Sequence, residues 1–201
     1  MEAQKAYVME VATLFPLQGD WTETDYFSLP ESNRIIELSN GELIMPPGPT
    51  FGHQRAVARL HRKIMTYAEE HNVGEAIAAP FGLRLWEGKI RQPDVLLVRT
   101  AHFERVKRTY IDGPADWVAE VISPGTRKTD VVEKRAEYAQ AGVPEYWLID
   151  LDERTILIYS LPAGGSTYRL AGSYASGQVA ESVALPGFKV AVDEIITAGP
   201  V

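Results

Sequence analysis

The sequence predicts a mixed α/β (α+β) fold, a central mixed β-sheet flanked by helices. Three observations predict it. A long amphipathic helical pattern precedes a series of short apolar runs, a second helical pattern interrupts them, and further strand-like runs follow. Helices placed as crossovers between strands lead to the expectation of at least one parallel strand pair. With 201 residues and 45% hydrophobic content the chain can bury a full core, and its length fits one domain over 1–201.

The elements read as follows in chain order. Thr22 and Asp25 supply a cap for a short helix through Tyr26 and Phe27, ended near Pro30. Residues 34–38 and 42–45 flank Asn40-Gly41, a strong hairpin signal because both residues tolerate positive φ. Pro46, Pro47 and Pro49 stiffen the next loop. Over 51–72 the residues Val57, Leu60, Ile64, Tyr67 and Ala68 recur at helical steps, with Gly74 as the C-terminal stop. Strands are expected at 75–79, 82–86, 90–98 and 117–122, with a tight turn at Glu87-Gly88-Lys89. A second helix is expected over 130–141, with Val132, Ala136, Ala139 and Val143 as its apolar stripe and Gly142 at its end. Residues 145–150 and 155–160 read as consecutive strands. Two weaker strands near 168–171 and 179–184 precede a short helix around 193–197.

Composition narrows the function. The chain has no cysteine, which excludes disulfide frameworks, thiolate zinc sites and cysteine nucleophiles and fits a reducing compartment. Glu2, Lys5 and Glu10 interrupt the apolar run that a signal peptide needs, and no stretch approaches the ~18 apolar residues of a membrane span. A cytoplasmic protein with no membrane partner is the expectation. The net charge is -7, yet residues 84–135 hold 11 Lys and Arg against 8 Asp and Glu, a local +3 that leaves the rest at -10. Such a region can meet a phosphate backbone, or be scattered over solvated faces. Other signals lead nowhere: His53 and His61 lack a third ligand at metal spacing, Gly164-Gly165 is followed by no P-loop lysine, and Ser123 lies in no nucleophile elbow. Tyr146 and Trp147 read as core residues.

Two carboxylates stand out. Asp94 opens the apolar run 94–98 after Pro93, which marks an edge, a bulge or simply a strand start. Glu120 sits within Trp117-Val-Ala-Glu-Val-Ile122, a strand without alternation and therefore buried on both faces. A carboxylate there needs a proton, a metal, or a cation such as Arg84 or Arg91, because an unpaired charge would cost several kcal/mol. Two strands that each deliver a carboxylate can converge on one divalent ion, and magnesium commonly takes only one or two from the protein. Lys134, four residues after Asp130 and on one helix face with Tyr138, is the candidate cation near developing phosphorane charge. It also reads as a surface lysine paired with Asp130.

These residues resemble a known group. Pro93-Asp94, a gap, then Glu120-Val-Ile122 is similar to the PD-(D/E)XK nuclease superfamily, and within it the chain resembles the bacterial Uma-type family of restriction endonucleases. The matching segments are 37–42, His53, Gln92-Pro-Asp94, 120–124, and 130–138 running into 141–150. The resemblance covers roughly residues 25–188. It implies a restriction-endonuclease-like core and magnesium-dependent phosphodiester hydrolysis of DNA, with manganese as the alternative ion. Asp94 and Glu120 would be the metal-binding and catalytic acids, Lys134 the catalytic lysine, and Glu37, His53 and Gln92 supporting residues. The lysine usually found two residues after the glutamate is Ile122 here, so Lys134 would replace it from the following helix. Nucleic acid is the implied partner, and a homodimer would suit a two-stranded substrate. The alternative is a catalytically inactive nucleic-acid-binding or assembly module on the same fold.

Overall fold

A computed structural model describes residues 15–30, 33–123 and 125–197. Glu2, Lys5 and Glu10, and Pro124 of the strand-end motif, lie outside the described residues. The first helix, α1 (Glu23–Phe27), starts with the expected cap: the Thr22 hydroxyl accepts from Asp25 N, and Thr22 N donates to the Asp25 carboxylate. Strands β1 (Glu37–Ser39) and β2 (Glu42–Ile44) form the hairpin, with Asn40 at φ 52° and Gly41 at φ 82°. Helix α2 (Phe51–His71) follows, capped by the Thr50 hydroxyl. Its residues Val57, Leu60, Ile64, Tyr67 and Ala68 are all buried, as their spacing requires.

The middle of the chain is richer in strands than its sequence suggests. It runs through β3 (Gly74–Ala78), β4 (Gly82–Trp86), β5 (Lys89–Arg91) and β6 (Val95–Arg99). A 3-10 turn then leads to β7 (Tyr110–Asp112) and β8 (Trp117–Val121). After a π-helical turn at Thr129–Lys134 come α3 (Arg135–Ala141), β9 (Glu145–Asp150) and β10 (Thr155–Ser160). The chain closes with β11 (Arg169–Ala175), β12 (Val179–Glu181), β13 (Lys189–Ala191) and α4 (Val192–Ile195).

These strands divide between two mixed sheets and a small antiparallel pair. One sheet has the order β11-β10-β9-β8-β6-β3 and the other β2-β1-β5-β4-β7. The expected parallel pair is β8 with β9, joined across α3, and β4 with β7 is a second. Helix α2 covers one face of the six-stranded sheet, where Leu60 and Ile64 share a core with Trp117, Ala119, Trp147 and Ile149. The opposite face carries Leu96, Val118, Tyr146 and Leu148 and packs against Leu83 of the second sheet and Tyr138 of α3.

Three expectations need correction. The apolar run 90–98 is not one strand. Pro93 cannot donate to a ladder, so the chain leaves the second sheet after Arg91 and enters the first at Val95. The apolar stripe assigned to residues 130–141 holds only in its second half, where Ala139 and Val143 are buried; Val132 and Ala136 are exposed. Val132 is 51% exposed, while Asp130, Lys134 and Tyr138 point inward. The reason is energetic: exposing one valine forgoes about 1–2 kcal/mol, whereas removing one partner of a buried ion pair costs about 3–5 kcal/mol. A carboxylate on the covered face, Glu120, selects the polar side of the helix.

Gly74 has a different task from the one expected. Asn72 takes the left-handed cap of α2 at φ 50°, and Gly74 brings β3 against β6. A Cβ there would stand 2.0 Å from the Val98 carbonyl oxygen. Gly74→Ala should therefore destabilise the fold by about 2 kcal/mol or more in urea unfolding. A wild-type midpoint would refute this close approach.

Candidate active site

Register brings the two acids together. Strands β6 and β8 pair antiparallel with Val95 opposite Ala119, so one further step sets Asp94 opposite Glu120. Like charges at facing positions repel, and both groups are buried, with exposures of 6% and 3%. Each carboxylate has its own supports. Asp94 Oδ2 accepts from Val121 N at 2.8 Å and lies 3.2 Å from His53 Nε2. Glu120 Oε1 accepts from Tyr138 OH at 2.7 Å and from Lys134 Nζ at 3.0 Å. Both bonds to Glu120 fall on Oε1, so a further ligand can take Oε2 without displacing either.

The cation on Glu120 is therefore a lysine, not an arginine. Arg84 pairs with Glu23 and Asp112, and Arg91 with Glu37 and Glu137. Lys134, 7% exposed, is the last residue of the π turn and reaches Glu120 of β8 from there. Its ammonium also meets Asp130 Oδ1 at 3.3 Å and Glu37 Oε1 at 3.5 Å. Thr126 donates to the Asp130 carboxylate at 2.5 Å, and Tyr146 OH donates to the Asp130 carbonyl at 3.1 Å, which fixes the turn. Ile122, at the position where the resemblance calls for a lysine, is buried core.

Behind the ammonium lies a second layer of charge. Glu37 faces Arg91 across the β1–β5 pairing and accepts from its Nη1 at 2.8 Å, and from Gln92 N at 3.0 Å. Arg91, 1% exposed, also grips Glu137 through Nε and Nη2 at 2.7 and 3.0 Å. Lys89 bonds Glu137 at 2.8 Å and the Ser39 hydroxyl at 2.6 Å. The second sheet is thus tied to α3 by ion pairs that end on Lys134.

A cleft of about 500 Å³ opens onto these groups. Asp94, Glu120, Lys134, His53, Gln92 and Asp130 line it; Glu37 does not, and supports Lys134 from behind. The Gln92 amide nitrogen is bound away, by Tyr26 OH and the Ile36 carbonyl. His53 Nδ1 is buried without a hydrogen bond, and buried Asp130 Oδ1 meets only the Lys134 ammonium.

The field in the cleft is negative. Burial, reinforced by Asp94, Asp130 and Glu37, pushes Glu120 up to about 8 even though Lys134 pulls the other way. Burial likewise raises Asp130. Burial disfavours the Lys134 ammonium, but Glu120, Glu37 and Asp130 outweigh it and keep the lysine charged. For His53 the bond to Asp94 likewise overcomes burial and raises the imidazole above its ordinary value. Carboxylates outnumber cations here, and their donors are hard oxygens, the set that suits magnesium or manganese. Among the described residues no three His, Cys, Asp or Glu side chains converge as a metal cage. Magnesium does not require one, because it keeps several waters. Asp94 and Glu120 fit the ion as a pair.

Some participants were not identified by sequence reasoning. The sequence offers Asp130 only as a surface partner of Lys134 and Arg91 only as an alternative cation for Glu120, and it gives Glu137 no part in the site. Part of the local excess of positive charge in 84–135 is neutralised within the fold: Arg84, Lys89, Arg91, Arg127 and Lys134 are paired with carboxylates. No helix among the described residues is long and apolar enough to cross a membrane.

A family model described as "Uma2: Putative restriction endonuclease" matches residues 24–193. No curated protein matches. Among solved structures, the crystal structure of a putative nuclease belonging to DUF820 from Anabaena variabilis is similar, with a TM-score of 0.69 and 18% identity. The match covers 88% of this chain and 97% of that one. The likeness establishes the fold, a restriction-endonuclease-like core of mixed sheet flanked by helices.

The raised Glu120 gives a signed pH dependence. Its folded value of about 8 lies above the ordinary 4.5, so the stability it contributes is complete below pH 4.5 and lost as pH rises towards 8. Metal-free protein should lose urea resistance over that window, and Glu120→Gln should flatten the decline. Equal slopes for the two proteins would refute the assignment. Lys134→Met leaves the carboxylates without their ammonium and should cost about 3–5 kcal/mol above pH 8, less at pH 5, by the same measurement. A pH-independent loss would show that packing, not charge, is what Lys134 supplies.

Proposed function

Because the chain belongs to the Uma2 family, whose match spans the whole cleft, we propose that it is a metal-dependent endonuclease hydrolysing phosphodiester bonds of DNA. One observation carries the reading: the Lys134 ammonium stands 3.0 Å from Glu120 in a cleft that Asp94 also lines. A cation is thereby delivered from the helix to the place where Ile122 supplies none.

In this reading Asp94 and Glu120 hold magnesium or manganese. When bound, the ion supplies a Lewis acid for the phosphate and a water of lowered pKa. The chain's own residues do the rest. Lys134 presents a fixed positive charge to the phosphate oxygens as negative charge grows on them. Asp130 and Glu37 hold that ammonium in place, and Tyr138 fixes the Glu120 carboxylate through Oε1. His53 and Val121 N both hold Asp94 through Oδ2, while the Gln92 backbone anchors Glu37. Burial excludes bulk water and strengthens each of these interactions.

The test is cleavage of DNA with magnesium or manganese, against EDTA. Asp94→Asn, Glu120→Gln and Lys134→Met should each lower the rate at least about a hundredfold while the fold persists by circular dichroism. Intact protein that cuts no DNA or RNA with either metal would sink the proposal. Salt-dependent DNA binding that survives Asp94→Ala and Glu120→Ala, without cleavage, would instead identify a non-catalytic binding module.

A further inference from the structure

We propose that the strand this site acts on is unpaired: the cleft takes a nucleotide or two from a single-stranded segment of DNA, not a phosphate on the flank of an intact duplex. The inference rests on the nuclease reading and adds the substrate class.

Depth is the first reason. Asp94, Glu120 and Lys134 are 6%, 3% and 7% exposed, at the floor of a recess of about 500 Å³. Duplex phosphates lie on the outside of a stiff rod, and bending a site by 40–90° costs on the order of 1–6 kcal/mol. An unpaired strand turns a phosphate inward without that deformation.

The walls supply the second reason. The lining also includes Ile35, Met45, Pro46, Pro47, Pro49 and Pro80, apolar side chains that suit a base or sugar better than a phosphate. Met45 is 60% exposed on a loop stiffened by prolines. Just beyond the loop, Phe51 is 62% exposed, with Arg55 over its ring at 5.3 Å. The exposed ring, beside the cleft in sequence but outside its lining, is a surface on which an unpaired base can stack.

Charge supplies the third. Among the described residues the basic groups of the cleft lining are Arg34, Lys134 and His53, and the last two are already held by carboxylates. A duplex-binding surface commonly makes about 6–10 phosphate contacts, whereas a strand gripped through its bases needs fewer.

Binding and cleavage test this separately. Fluorescence anisotropy with the wild-type chain in EDTA, and with Glu120→Gln in magnesium, would compare a single-stranded DNA oligonucleotide, its duplex, and single-stranded RNA of the same sequence. Single-stranded DNA should bind at least about tenfold tighter than duplex. Met45→Ser and Phe51→Ser, both at exposed positions, should weaken the single strand severalfold and leave duplex binding unchanged. RNA bound as tightly as single-stranded DNA supports an unpaired ligand read without regard to sugar. Duplex bound equally or better, RNA bound in place of DNA, or no effect of either variant overturns the inference. On gapped or flapped DNA the wild type with magnesium should cut inside the unpaired segment. Absence of cutting on every substrate counts against the nuclease reading alone, because the binding preference is measured without turnover.

Discussion

The structure is organised around one buried charge. Glu120 stands in the middle of a strand covered on both faces, next to Asp94 by register, and no apolar packing can satisfy it. An ammonium has to be brought in, and Lys134 is the group that arrives. The surrounding features follow from that demand. The π turn ends on Lys134, Val132 is given up to solvent, and Asp130 and Tyr138 turn inward. Glu37, Arg91, Glu137 and Lys89 then continue the alternation of charge out to the second sheet.

A second buried carboxylate shows what a purely structural one looks like in this fold. Glu145 is fully buried and accepts from Trp147 Nε1, the Ser182 hydroxyl, and the backbone N–H groups of Val183 and Ala184. Four neutral donors saturate both of its oxygens, and it lines no described cleft. Glu120 differs on each point: its bonds crowd one oxygen, its neighbours are further carboxylates, and it faces the cleft. Such frustration is costly in a core and is tolerated where charge has to be met by something that comes and goes.

Much of the fold was legible in the sequence. Helix α2, the hairpin at Asn40-Gly41, and strands β4, β9 and β10 follow their periodicity and turn chemistry closely. Three-residue strands were harder: β7 and β13 are too short for any alternation to show, and β5 is masked by its continuity with β6. The first turn after β8 departs from the sequence pattern, with Val132 exposed while Ala139 and Val143 are buried as their spacing requires, because apolar periodicity assumes that the buried face is the apolar one. Here tertiary charge pairing overrode it.

By itself the sequence determined that Glu120 is buried and must be compensated, since an unbroken apolar strand leaves a carboxylate nowhere else to go. It also set Asp94 behind a proline that breaks the run, and it marked Lys134 as one of a few cations in reach. It could not choose among Arg84, Arg91 and Lys134, because pairing is fixed by register and by the path of a helix, both of which are long-range. Only the tertiary structure assigned the arginines to Glu23, Glu37, Asp112 and Glu137 and left the lysine for Glu120. The β6–β8 register set the two acids face to face, and the π turn brought the lysine to one of them.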